Sequence, residues 1–87
     1  MPRVILPDSL VRIFPGAERR VQLEADTVAE TLDRLNDRWP GMRDRLVDGR
    51  PAIRQHIIIF VNGERAELTT PVVETDEVYV MPAMSGG

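Results

Sequence analysis

Apolar and polar positions alternate with two different periods along this chain of 87 residues. The clearest element is a helix over residues 27–39, in which four apolar residues recur at spacings of four, three and four and form a single stripe. These residues are Val28, Leu32, Leu35 and Trp39. Thr27 and Glu30 fit a capping box at its start, with Glu30 reaching back to the Thr27 amide. Pro-Gly at 40–41 ends the helix, and residues 42–47 predict a short further turn of helix.

The segment before this helix predicts a pair of strands. Residues 4–6 and 10–14 are rich in apolar and β-branched side chains, and we interpret them as one long strand kinked at Pro7, which cannot donate to a β-ladder. Pro-Gly at 15–16 supplies a turn. Apolar and polar residues alternate over 18–24, as in a half-buried strand. The two strands are expected to form an N-terminal hairpin.

Three more strands are predicted after the helix. Residues 57–61 are a continuous apolar run, which is typical of a central strand covered on both faces, or nearly so. The Asn-Gly pair at 62–63 indicates a two-residue hairpin, with a partner strand through 66–68. Residues 77–81 alternate again and form the final strand, which leads directly into Pro82 and the chain end.

The order strand, strand, helix, strand, short strand, strand predicts an α+β fold of the ubiquitin-like β-grasp type. We expect a mixed sheet of four to five strands packed against one main helix. The β-grasp domain covers residues 1–81, and residues 82–87 form a flexible C-terminal tail that ends in Gly-Gly. A ferredoxin-like sheet without its second helix is the structural alternative, because the pattern does not fix the strand order.

Composition removes several classes of function. The chain has no cysteine, hence no thiol nucleophile, no thiolate metal site and no disulfide. A net charge of −3 argues against binding to nucleic acid. The longest apolar run, 57–61, is far too short to cross a membrane, and the N-terminal segment does not resemble a signal peptide, so we expect a cytoplasmic protein. The single histidine, His56, has no catalytic partner in an obvious motif, and we predict neither catalytic residues nor a metal site.

The two terminal glycines carry the strongest functional signal. Gly86 and Gly87 have no Cβ, so they form a thin segment that can pass through a slot closed to any side chain. Such a segment is suited to delivering a carboxylate into another protein's active site. The alternative is an ordinary small and mobile chain end.

Three stretches of the chain resemble the MoaD/ThiS family of ubiquitin-like sulfur carrier proteins, and the resemblance runs over most of the sequence. The first is Trp-Pro-Gly-Met-Arg-Asp-Arg-Leu at 39–46, and the second is Phe-Val-Asn-Gly-Glu at 60–64. The third and most specific runs from Asp76 to the terminal Met-Ser-Gly-Gly.

This resemblance implies that Gly87 is adenylated by an E1-like adenylating enzyme and then converted to a thiocarboxylate. ATP and Mg are used by that partner, and the chain itself holds no cofactor. Gly86 and Ser85 would enter the partner's active site. Met84, Ala83 and Pro82 would serve as docking contacts, with Met84 adapting to a partner groove. Met81 is interpreted either as a similar contact or as a core residue closing the last strand.

The implied partners are the E1-like enzyme, a sulfur donor such as a sulfurtransferase or cysteine desulfurase, and an acceptor enzyme or the large subunit of a synthase. The pathway stays open among molybdopterin, cysteine, thiamin and other metabolites. Small subunits of molybdopterin synthase usually carry Phe-Ala followed by Arg-Glu early in the chain, whereas residues 10–14 here read Leu-Val-Arg-Ile-Phe. A free-standing sulfur carrier is therefore favoured over that subunit. A ubiquitin-like protein modifier and a binding module with a functionless tail are further alternatives.

Overall fold

A computed structural model describes residues 1–83 of the protein. The elements within this range are β1 (Arg3–Ile5), α1 (Asp8–Ile13), β2 (Arg20–Gln22), α2 (Val28–Arg38), α3 (Met42–Leu46), β3 (Ile57–Val61), β4 (Glu64–Arg65) and β5 (Glu77–Pro82). The strands form one sheet in the order β2-β1-β5-β3-β4. β1 and β5 are parallel, and the other neighbouring pairs are antiparallel. This mixed sheet with one main helix confirms the predicted β-grasp fold.

One hydrophobic core joins α2 to a single face of the sheet. Val4, Val78 and Ile59 supply the sheet side, and Leu32 and Leu35 supply the helix side, each no more than 1% exposed. β5 lies between β1 and β3, so Val78 contributes to the centre of this core. The final strand is therefore paired along both of its edges.

The predicted start of α2 is confirmed in part. The Thr27 hydroxyl accepts a hydrogen bond from the Glu30 amide at 3.1 Å, as the sequence indicates. The Glu30 carboxylate, however, accepts from the Asp26 amide at 3.2 Å rather than from the Thr27 amide. The first free amides of the helix, Val28 and Ala29, instead donate to carbonyl groups of the loop that follows β4.

The prediction of one long N-terminal strand is wrong for residues 10–14. The strand ends at Ile5, and α1 begins after Pro7, whose extended backbone occupies the N-cap position. Leu10 is buried while Val11 and Phe14 are half-buried, so the inward residues follow the three-to-four spacing of a helix. A helix of one and a half turns is too short to show that period in the sequence. β1 and β2 still pair antiparallel, with α1 between them.

The Asn-Gly hairpin is confirmed by the backbone, with φ of 51° at Asn62 and 85° at Gly63. The strand after it is shorter than predicted, since β4 covers only Glu64–Arg65 and Ala66 is a buried residue just beyond it. β3 is buried only at Ile57 and Ile59. The sequence predicts that this strand is covered on both faces, or nearly so. Ile58, Phe60 and Val61 are half-buried, so one face of β3 is covered and the other is partly open.

Three further predictions concern the segment after α2, Trp39 and the end of β5. The short helix after α2 is confirmed as α3, and Trp39 packs against the core while staying partly exposed. Gly41, which connects the two helices, has a φ of 99°. β5 runs one residue beyond the predicted end, because Pro82 pairs with Ile57. Pro82 thus belongs to the sheet, although the sequence places it in the tail.

Candidate functional site

The site begins at the end of β5, where the chain leaves the sheet. Pro82 lies opposite Ile57 in the β-ladder, and the Ala83 amide donates to the His56 carbonyl at 2.8 Å. Sheet hydrogen bonding therefore holds the backbone as far as Ala83. The other predicted site residues, Met84, Ser85, Gly86 and Gly87, lie outside the residues that the structure describes.

The side chains of β5 alternate between the core and the opposite face of the sheet. Val78 and Val80 are buried, whereas Tyr79 is 37% exposed and Met81 is 44% exposed. Because Met81 points away from the core, its interpretation as a core residue is wrong, and the interpretation as a contact residue stays open. The last strand before the tail thus presents an aromatic and a thioether side chain to the exterior.

Neighbouring strands extend these two residues into an apolar patch. In the register of the sheet, Tyr79 lies between Ile5 of β1 and Phe60 of β3, and Met81 lies opposite Ile58. All three neighbours are half-buried. We call these five residues the open face. A contiguous exposed patch of this composition is typical of a protein-binding surface, where aromatic residues and Met are enriched.

Arginines on the outer strands flank the open face. Arg20 on β2 is the register partner of Ile5, and Arg65 on β4 is the register partner of Phe60. Near the start of β5, Arg3 and Glu77 form a salt bridge of 3.0 Å. The open face therefore has an apolar centre and a charged rim, which is the usual layout of an interface.

A hydrogen-bond network fixes the start of β5 to the hairpin after β3. The Asn62 side chain donates to the Asp76 carboxylate and accepts from the Glu77 amide at 2.9 Å. Asp76, which is buried, also accepts from the Val73 amide at 2.8 Å. Both ends of β5 are thus held by the sheet or by polar contacts, which gives the tail a fixed point of departure.

The titratable groups give no sign of a catalytic centre in the described part of the chain. Residues 1–83 contain no group of three or more His, Asp and Glu side chains placed to hold a metal ion. His56 is exposed and lies just before β3. The Arg50 side chain and amide both donate to Asp48, which lowers the pKa of that carboxyl to about 2. This pair closes the loop after α3. None of the helices in this range is long and apolar enough to span a membrane.

Sequence reasoning predicted a site at the tail, which stays a prediction, and it missed the open face. The signal was present in the apolar run 57–61 and in the alternation over 77–81, because both strands carry large apolar residues on the side turned away from the helix. Reading the first strand as covered on both faces concealed its exposed side. The sequence does not indicate that Ile5 belongs to the open face, because its place there follows from its register with Tyr79.

Comparison with known proteins shows which family the chain matches. A model of the ThiS family matches residues 4–87. The Sulfur carrier protein CysO of Mycobacterium tuberculosis is 27% identical over 85 residues, which are 91% of this chain and 91% of that protein. Small archaeal modifier protein 1 of Haloferax volcanii is 33% identical over 69 residues, covering 78% of this chain and 79% of the modifier.

The fold comparison agrees with the sequence comparison. The crystal structure of the Amycolatopsis orientalis BexX/CysO complex contains a chain that superposes with a TM-score of 0.86 at 28% identity, and the two chains cover each other completely. The similarity of fold thus extends over the sheet and the helices. The family match continues to residue 87, so the terminal glycines fall within it.

Proposed function

Because the chain belongs to the ThiS family of ubiquitin-like sulfur carriers and modifiers, whose model it matches over residues 4–87, we propose that it is a sulfur carrier whose Gly87 is the activated residue. The observation that carries the proposal is the geometry of β5. The central strand of the sheet runs from the buried core to Ala83, and the family match continues from there through Gly87. The 27% identical relative is itself named a sulfur carrier protein.

In the proposed first step, a Gly87 carboxylate oxygen attacks the α-phosphorus of ATP in the active site of an E1-like adenylating enzyme. The bond between the α- and β-phosphates breaks, pyrophosphate leaves, and a glycyl adenylate forms. This activation is required because a carboxylate is a poor electrophile. Magnesium bound with the ATP on the partner stabilises the departing pyrophosphate.

In the second step, sulfide attacks the glycyl carbonyl carbon and AMP leaves, which yields a C-terminal thiocarboxylate and one proton. A persulfide donor gives the same product in two stages. Its outer sulfur displaces AMP to form an acyl disulfide, and a thiol then reduces the S–S bond and is oxidised to a disulfide. The chain's own residues supply no thiol for either stage, since it has no cysteine. The sulfur and the reductant both come from partners.

We assign the open face to docking of the adenylating enzyme. Tyr79 and Met81 lie on the strand that continues into the tail, so a partner that covers them is positioned to receive Gly87. Four residues follow Ala83, and at roughly 3.3–3.6 Å each they reach at most about 14 Å. The partner must therefore bind beside the sheet. Gly86 and Ser85 pass into its active site, and Met84, Ala83 and Pro82 contact its entrance.

The proposal is tested by exchange of labelled pyrophosphate into ATP, which requires only the adenylation step. The purified chain is combined with ATP, Mg²⁺ and the E1-like enzyme of its source organism. We expect exchange that depends on the chain, and none with a variant truncated after Gly86. Equal exchange with the truncated variant would overturn the assignment of Gly87. A Tyr79→Phe variant serves as a matched positive control, because it keeps the open face and the tail.

A second function, conjugation to other proteins, is favoured by one observation. The relative with 33% identity over 78% of this chain is named a modifier protein. A modifier uses the same adenylate, but an amine of a target protein attacks the glycyl carbonyl instead of sulfur. The two functions are separated by searching extracts of the source organism for high-mass conjugates of the chain. Conjugates that disappear on removal of Gly86 and Gly87 would support the modifier, and their absence would leave the sulfur carrier.

The possible acceptors are distinguished by one further measurement, stable association of the chain with a large subunit. As the small subunit of molybdopterin synthase, the chain would co-purify with a catalytic subunit in a fixed ratio. As a free-standing carrier for cysteine, thiamin or another metabolite, it would be isolated without one. Affinity purification of the full chain from its source organism, followed by size-exclusion chromatography, distinguishes these arrangements.

A further inference from the structure

A groove lies beside the point where the chain leaves the sheet, separate from the open face. It has a volume of about 320 Å³ and is formed between α1, α3 and the end of β5. Its apolar lining consists mainly of Leu10, Ile13, Leu46 and Pro82. Ile13 is 47% exposed, so part of its side chain is open to a partner. We call this feature the root groove.

Basic residues line one margin of the root groove. Arg45 and His56 border the groove, and both also line an adjoining cleft together with Arg54 and Asp44. Arg54 donates through Nε to the Asp44 carbonyl at 2.8 Å, which fixes it beside Arg45. Among residues 1–83, neither arginine forms a salt bridge with a carboxylate. The linings of the groove and the adjoining cleft contain two arginines and one carboxylate, Asp44, so they carry a small local excess of positive charge in a protein whose net charge is −3.

The length of the remaining chain determines what must cover this region. Gly87 lies at most about 14 Å from Ala83, whereas the protein measures 36 Å along its longest axis. A recessed active site uses part of that reach, so its entrance must lie closer still. Pro82 is itself a wall of the root groove, and the Ala83 amide is bonded to the His56 carbonyl. Any protein that receives Gly87 thus contacts the root groove and the arginines beside it.

Resting on the proposed function, we infer that the root groove is a second docking site for the adenylating enzyme, which fills it with an apolar side chain and places carboxylates opposite Arg45 and Arg54. Covering guanidinium groups that have no carboxylate partner among residues 1–83 is costly unless the approaching surface supplies negative charge. Complementary charges at an interface margin raise the rate of association and select the partner. The groove therefore selects an enzyme whose active-site entrance is acidic and carries an apolar projection.

The test uses the pyrophosphate-exchange assay with the full chain and variants of it. The double variant Arg45→Glu/Arg54→Glu should raise the KM for the chain about 10-fold at low ionic strength, with kcat within about 2-fold of wild type. At an ionic strength of about 0.5 M the difference should shrink to about 2-fold, because salt screens exposed charges. The milder Arg45→Gln/Arg54→Gln variant should show about 3-fold, and Ile13→Asp should raise the KM at both ionic strengths.

The matched control, Arg34→Glu/Arg38→Glu, makes the same charge change on exposed residues of α2. We expect its KM for the chain to stay within about 2-fold of wild type. An unchanged KM for the margin variants, or an equal rise for the control, would overturn the inference. So would a rise in the KM for ATP, which would mean that the arginines bind nucleotide phosphates. Failure of the proposed function is distinguishable, because the wild-type chain would then support no exchange.

Discussion

Truncating Tyr79 to Ala should weaken recognition of the chain by its adenylating enzyme. Tyr79 occupies the centre of the open face, between Ile5 and Phe60, and 37% of it is exposed. A buried aromatic side chain of this class covers roughly 200 Å², which leaves about 75 Å² for a partner to cover. At about 25 cal/mol per Å² this area is worth about 2 kcal/mol. We therefore expect the KM for the chain to rise by up to about 25-fold.

The assay is pyrophosphate exchange at varied concentrations of the chain, with the fold of each variant checked by circular dichroism and urea unfolding. Tyr79→Phe keeps the area and should stay close to wild type. Val73→Ala is a second control, because Val73 is 59% exposed but lies outside the strands, before β5. A KM within about 3-fold of wild type for folded Tyr79→Ala, or an equal rise for Val73→Ala, would refute docking on the open face.

Three further predictions concern the scaffold that positions the tail. Thr27→Ala should lower the free energy of unfolding by about 1 kcal/mol, because it removes the hydroxyl that caps α2. Thr27→Ser keeps a hydroxyl and should retain most of the wild-type stability. An unchanged free energy of urea unfolding for Thr27→Ala would contradict the role of the cap. Gly41→Ala should lower the free energy of unfolding by about 1–2 kcal/mol, since Gly41 has a φ of 99°. Gly49→Ala should lower it much less, because a Cβ at Gly49 meets nothing within 4 Å. Equal urea midpoints for the two variants would contradict this difference. Asp48→Asn should lower the melting temperature near neutral pH, because hydrogen bonds from Arg50 lower the pKa of Asp48 in the folded state. The difference in melting temperature from wild type should shrink as the pH falls from 3.8 towards about 2, where the carboxyl becomes protonated in both states. A difference that does not depend on pH would contradict this prediction.

Much of the fold could be predicted from the sequence because its local signals agree with its tertiary structure. The helical stripe of α2, its Thr27 cap and the Asn-Gly hairpin each require a specific local geometry, and each is present. The alternation of β5 identifies its buried side correctly. Such elements are read reliably when propensity and burial favour the same conformation.

The misread elements are those in which local signals are short or compete with each other. Residues 10–14 have β-branched and apolar composition, but the chain turns at Pro7 and buries Leu10 with helical spacing. The extent of β5 depends on its pairing with Ile57, so its final residue, Pro82, could not be assigned before the register was known. Glu30 bonds to the Asp26 amide because of the backbone path before the helix, which the capping pattern does not specify.

Part of the candidate site could likewise be predicted from the sequence, and part could not. The family can be inferred from the sequence, since the resemblance at 76–87 lies within the family match, whereas the role of Gly87 stays a prediction. The binding surfaces cannot be inferred, because the open face and the root groove bring together residues from distant parts of the chain. Ile5 meets Tyr79, and Ile13 meets Leu46, only through the strand order and the helix packing.

The most direct test of the sulfur-carrier function is the intact mass of the protein after reaction. The full chain is incubated with its E1-like enzyme, ATP, Mg²⁺ and a sulfide or persulfide donor, and the C-terminal fragment is then sequenced by tandem mass spectrometry. We expect the mass to increase by the difference between one sulfur and one oxygen atom, with the change located at Gly87. An unchanged mass for a chain that supports pyrophosphate exchange would contradict sulfur transfer, and a change located elsewhere would contradict the role of Gly87.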